Sequence, residues 1–142
     1  MKQKEIFHKF LEFAASVHRV THELTKNIKS DDITQVQYGI LEYIALSQPV
    51  TPSQISDCKY LSMPNTSREL RKLSEKKLIE KFGDKEDRRK QYVRLSKDGE
   101  IMMNKAFLCV ESRFKDRIQN ASKEDLEDIE RALDILQKKL FY

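Results

Sequence analysis

Tryptophan is missing from this 142-residue chain, and glycine and proline occur only three times each. So few turn-forming residues disfavour a sheet-rich fold with many tight hairpins and favour helices. Cysteine is nearly as scarce. Cys58 and Cys109 lie far apart, form no C-x-x-C pair and offer no zinc framework. For both, a buried thiol acting as a small apolar residue is the expectation. No apolar run approaches the ~20 residues needed to span a bilayer, so no membrane partner is expected. The N-terminal MKQKEIFHKFLEF scatters charges among its apolar residues, does not read as a signal peptide, and points to the cytoplasm. A glycine-rich phosphate loop, a nucleophile elbow and a paired metal-ligand motif are all lacking. The chain is therefore expected to be no enzyme and to need no cofactor.

What is present is charge, unevenly spread. The length fits one domain with a respectable core. Formal net charge is only +4, but the stretch from Lys59 to Lys97 holds 13 Lys/Arg against 6 Asp/Glu. The rest of the chain holds 14 against 17, so one contiguous basic stretch sits between mildly acidic flanks. Lysines and arginines gathered in this way displace condensed counterions from a polyphosphate, although a solvated helical face can look the same.

Periodicity divides the chain into helices around one short ribbon. Ile6, Phe10, Phe13, Val17, Val20, Leu24 and Ile28 recur every three or four residues, which predicts a first helix of about seven turns. Its apolar stripe fits either a partner subunit or the chain's own core. Ser30-Asp31-Asp32 breaks the pattern. Thr34 and Gln37 then have capping-box spacing and open a second helix, which ends near Ser47 because Gln48 precedes Pro49. Thr51, Pro52 and Gln54 repeat the device for a short third helix from Pro52 to about Lys59. After a turn through Tyr60 and Leu61, Ser62 caps a fourth helix from Met63 to about Lys77, with Leu70 and Leu73 facing inward. Residues 78–82 and 91–95 alternate like short strands, and the charged segment 83–90 joins them as an unusually long hairpin loop. Ser96 starts a fifth helix carrying Ile101, Met102, Leu108, Phe114 and Ile118. Ser122 caps a last one carrying Leu126, Ile129, Leu133, Leu136 and Leu140.

Three helices followed by a two-stranded ribbon is the winged form of the helix-turn-helix. There the second helix of the turn enters the major groove with its N-terminal residues foremost. Ser62, Asn65, Thr66, Ser67, Arg68 and Arg71 are the candidates on that helix. Arginine can be bidentate to guanine and asparagine to adenine, hydroxyls can bond bases or phosphates, and the helix start adds free N–H groups. In the loop the candidates are Lys85, Asp87, Arg88 and Arg89, with the Asp87 carboxylate holding Arg89 for a narrow minor groove.

Asp87-Arg88-Arg89 followed by Val93-Arg94-Leu95-Ser96-Lys97-Asp98-Gly99 resembles the wing motif of the MarR (multiple antibiotic resistance regulator) family, D-R-R, a short strand, then L-[TS]-x-x-G. Ser62 to Arg68 and Leu73 to Lys81 are similar to the family's recognition helix and its exit into the wing. The likeness runs from about Ile33 to Gly99. It implies a mainly α fold with a small two-stranded β-wing, a winged helix-turn-helix flanked by long terminal dimerisation helices. On that pattern residues 1–142 form a single domain, 34–97 its winged-helix part, and 1–33 with 98–142 the dimerisation helices. The resemblance further implies a homodimer on a pseudo-palindromic operator in double-stranded DNA, a repressor more than an activator, often released by a small phenolic effector. Tyr38, Tyr43 and His22 are first guesses for an effector pocket. The family usually has glycine where Lys77 stands; a left-handed backbone there would cost lysine about 1–2 kcal/mol.

Other readings carry less. Cys58 beside the basic stretch, or Cys109 in the fifth helix, could make a redox-responsive regulator, but the first helix lacks the cysteine that peroxide-sensing relatives place there. His18 and His22 stand four apart with Glu23 adjacent, a spacing that can seat a metal, yet the fifth helix supplies no further histidine. A winged helix can also bind protein, and the concentration of positive charge argues against that use here.

Overall fold

The computed structural model describes residues 2–142. The elements in chain order are α1 (Lys2–Thr25), α2 (Gln35–Ser47), α3 (Pro52–Lys59), α4 (Met63–Glu75), β1 (Ile79–Gly83), β2 (Gln91–Leu95), α5 (Lys97–Arg117) and α6 (Lys123–Lys139). They fall into two compact units, Met1–Val110 and Glu111–Tyr142.

In the first unit, short polar side chains set the helix starts. The Thr34 hydroxyl accepts from Gln37 N at 3.1 Å while Gln37 Oε1 accepts from Thr34 N at 3.1 Å. Thr51 and Gln54 make the same reciprocal pair. Each box satisfies two backbone donors that a helix start would otherwise leave open. Behind these caps, Ile40, Leu41 and Ile44 of α2 meet Ile55 of α3, Leu70 and Leu73 of α4, and Val93 and Leu95 of β2 in one buried cluster. Met103 and Ala106 of α5 complete it.

β1 and β2 pair antiparallel, with Ile79 opposite Leu95 and Gly83 opposite Gln91. The ribbon has a further attachment that periodicity does not announce. Val50 N donates to Val93 O at 3.1 Å and Val93 N returns a bond to Val50 O at 2.7 Å. Leu95 N donates to Gln48 Oε1 at 2.8 Å. The inner edge of β2 is thereby partly covered by the α2–α3 connection, which ties the wing to the helices and removes an open strand edge.

α4 ends at Glu75, two residues short of the expected Lys77, because Lys77 turns into the left-handed region with φ 62°. Lys77 N bonds Ser74 O at 2.9 Å and Leu78 N bonds Leu73 O at 3.1 Å, the paired closure of a Schellman motif. The next connection is equally tight. A Cβ on Gly99 would lie 2.1 Å from Leu78 O, so only glycine lets α5 start against that carbonyl. The Ser96 hydroxyl donates to Lys77 O at 2.6 Å and accepts from Gly99 N at 3.0 Å. This is the physical content of the L-S-x-x-G signature.

α1 stops at Thr25, short of Ile28, and Asn27 follows with φ 60°, a conformation asparagine tolerates better than most residues. No α1 residue is buried. Ile6, Phe7, Leu11, Phe13 and Val17 all stay exposed. Cys58 and Cys109 are exposed too, contrary to the buried thiols expected, because each lies past the last buried residue of its helix, Ser56 in α3 and Ala106 in α5, where the core no longer covers it.

The second unit holds the end of α5 and all of α6. Ser122 and Asp125 form its capping box, each bonding the other's backbone N–H at 3.0 Å. Leu126, Ile129, Leu133, Ile135 and Leu140 of α6 are exposed.

Candidate nucleic-acid interface

Ser62 caps α4 through a 3.2 Å bond from Asn65 N, and Pro64 follows in the first turn, where a missing N–H costs nothing. Ser62, Asn65, Ser67, Arg68 and Arg71 are exposed along the helix's outer face. Arg68 donates to the Asn65 side-chain oxygen, so the two polar groups present a shared edge. Thr66 does not join them. Its exposure is 0%, and its position four and seven residues before Leu70 and Leu73 places it on the inward stripe. The expectation of an exposed Thr66 is corrected accordingly: residue type suggested a contact, and helical phase forbids it. Its hydroxyl lies buried with no hydrogen-bond partner.

A brace behind the helix escaped the sequence reading. Gln37, already used in the α2 cap, donates from Nε2 to Glu69 Oε2 at 3.1 Å, and Lys72 Nζ stands 3.5 Å from Glu69 Oε1. One amide thus joins the start of α2 to the middle of α4. The only sequence hint was an acidic residue among the basic ones of α4.

At the wing tip, Asp87 Oδ1 accepts from Arg89 N at 3.0 Å and from Arg89 Nε at 3.3 Å. The Arg89 side chain is held at its root while 92% of it remains exposed. Lys85 and Arg88 are exposed beside it, and the loop is closed by Asp84 N bonding Lys90 O at 3.1 Å. Below the tip, Phe82 and Tyr92 stack at 5.6 Å, and the Arg94 guanidinium lies 4.5 Å above Phe82 while bonding Glu80 at 3.1 Å. These cross-strand contacts stiffen a ribbon too short to be stable alone.

Away from this face, the Asn27–Ile33 turn, Tyr38 and α5 enclose a cavity of about 450 Å³. Ile28, Ile33, Met102 and Ala106 give it an apolar wall, and Tyr38 and Cys109 add polar groups; Tyr43 and His22 do not line it. Burial first, then the nearby charge of Glu42, pushes the Tyr38 pKa up to about 12. The Tyr38 hydroxyl is buried with no hydrogen-bond partner. Among the described residues no three His, Cys, Asp or Glu side chains cluster as a metal site would require.

Helix-turn-helix, capped outer helix and hairpin wing define a winged-helix protein. Residues 31–90 match the MarR family model. None of the curated proteins matches this chain in sequence. Among solved structures, a MarR family protein from Bacillus stearothermophilus is 19% identical with TM-score 0.74, covering 99% of this chain and 97% of that one. Streptococcus pneumoniae FabT, solved in complex with DNA, is 22% identical with TM-score 0.65, covering 94% and 96%. S. aureus MepR, solved bound to ethidium bromide, is 23% identical with TM-score 0.64, covering 92% and 94%. At these identities the likeness establishes the fold. No helix among the described residues is long and apolar enough to cross a membrane.

Proposed function

We propose that this protein binds double-stranded DNA as a homodimer in the cytoplasm and regulates transcription, as a repressor that a small phenolic-type effector releases. One observation carries the DNA-binding reading: the exposed, capped face of α4 shares the basic stretch with a wing whose Arg89 is held by Asp87. Arg68 and Asn65 supply base-edge chemistry. Ser62, Ser67, Arg71, Lys85, Arg88 and the N–H groups at the start of α4 supply phosphate contacts, with Arg89 reaching the minor groove. The DNA complex of FabT supports the same use of the shared fold. The dimer reading is supported by the exposed apolar residues of α1 and, independently, of α6, because single soluble subunits rarely leave such stripes open. The cavity beside Tyr38, together with the ethidium complex of MepR, supports an effector.

Selection of bound sites from a random duplex pool tests the reading. A two-fold symmetric consensus with half-sites about one helical turn apart is expected. Recovery of no consensus, with binding insensitive to salt, would refute it in favour of a protein partner.

A further inference from the structure

We infer that α4 reads guanine: Asn65 and Arg68 face two adjacent G·C pairs in each half-site, because the outer edge of the helix offers donors and withholds acceptors. This deepens the DNA-binding reading above and rests on it. Two independent observations meet on one face. Arg68 donates to the Asn65 side-chain oxygen. A guanidinium has N–H donors and no acceptor, so the Asn65 atom beside it can only be the oxygen, and the NH2 group remains to donate. Both side chains are exposed, three residues apart on the same helical face. The second observation concerns Glu69, the one carboxylate between Ser62 and Arg71. It is drawn inward: Gln37 Nε2 donates to its Oε2 at 3.1 Å, Lys72 Nζ stands 3.5 Å from its Oε1, and its side chain is only 20% exposed.

In the major groove guanine presents two acceptors, N7 and O6, and no donor. Adenine pairs its N7 acceptor with an N6 donor, and cytosine shows a donor alone. An asparagine reads adenine by accepting from N6 while donating to N7. At Asn65 one lone pair of the oxygen is already occupied, and the positive charge beside it opposes the approach of a further N–H donor. A carboxylate could accept from cytosine N4, but Glu69 is engaged by Gln37 and Lys72. The hydroxyls do not reverse the balance: Thr66 is buried, Ser62 accepts from Asn65 N at 3.2 Å, and Ser67 donates as readily as it accepts. What remains is the Asn65 NH2 group and the other N–H groups of Arg68, which match N7 and O6. Three residues rise about 4.5 Å along a helix, close to one ~3.4 Å base step, so the two side chains address neighbouring pairs.

The test repeats selection from the random duplex pool with the wild type, Asn65→Ala and Arg68→Ala. Both substitutions fall on the exposed face and alanine is the best helix former, so both variants should fold. The pair addressed by each side chain is the one at which its alanine variant alters the consensus. The wild type should select G·C at both pairs, by about tenfold over A·T. Replacing either guanine by 7-deazaguanine, which lacks the N7 acceptor, should weaken binding about tenfold. Arg68→Ala uncovers the Asn65 oxygen, so the preference at the Asn65 pair should change from guanine to adenine. Asn65→Ala should lose guanine there and select no other base. A wild-type consensus with A·T at these pairs, full affinity for the 7-deazaguanine duplexes, or a consensus unchanged in both variants would overturn the inference. So would a uniform loss of affinity in Arg68→Ala with no exchange of base, the mark of a purely structural bond. Salt-insensitive binding with no consensus would instead refute the DNA-binding reading, and this inference with it.

Discussion

Replacing Lys77 by glycine should stabilise the winged helix by about 0.5–1 kcal/mol, a sign that runs against the usual cost of glycine. Lys77 closes α4 at φ 62°, where its Cβ crowds the backbone by about 1–2 kcal/mol. Glycine removes that strain but adds unfolded-chain entropy of roughly 0.5–1 kcal/mol, which leaves the smaller net gain. The bonds from Lys77 N to Ser74 O and from Leu78 N to Leu73 O are backbone only and survive the change. Lys77→Ala is the control, since alanine keeps the Cβ and the strain. Urea unfolding followed by circular dichroism should show a higher midpoint for Lys77→Gly at unchanged slope, and a midpoint near wild type for Lys77→Ala. A glycine variant no more stable than the alanine variant would refute the strain argument.

Gly99→Ala should cost about 2–3 kcal/mol in the same assay, because its new Cβ would stand 2.1 Å from Leu78 O and 3.1 Å from Leu78 C, both backbone atoms. Thr66→Val should keep DNA affinity and gain about 1 kcal/mol of stability by deleting a buried, unpartnered hydroxyl; a loss of affinity measured by anisotropy would return Thr66 to the interface. Arg68→Ala should relax discrimination between operator and scrambled duplexes, whereas Arg89→Ala should weaken both and shallow the salt slope by about one unit; unchanged titrations in both variants would refute the docking. The Tyr38 pKa is raised from 10.0 to about 12, so the unfolded chain loses its proton first and stability should fall as pH rises from 10 toward 12. Subtracting the alkaline unfolding curve of Tyr38→Phe isolates this contribution, and coincident curves would contradict it.

Much of the fold was legible because it is locally determined. Thr34, Thr51, Ser62 and Ser122 each sit at a helix start, and each accepts the backbone bond that its spacing foretold. Asp87 and Arg89 were legible for the same reason, being two residues apart in one loop. The pairing of Val50 with Val93 and the Gln37–Glu69 bond join residues distant in sequence, and no periodicity reports them. Thr66 was misjudged through residue type although its phase with Leu70 and Leu73 was in plain view. The cysteines show the reverse: a small apolar residue was assigned to the interior, and both lie beyond the last buried residue of their helices.

The Ser96 hydroxyl touches two neighbours at once, the carbonyl that ends the turn out of α4 and the amide of Gly99 in the first turn of α5. With Ser96 N also bonded to Leu78 O at 3.0 Å, this junction works as a weld between ribbon and helix. A torque applied along the beginning of α5 would swing the hairpin with it as one lever arm. Compliance must then reside where the chain is not so fastened.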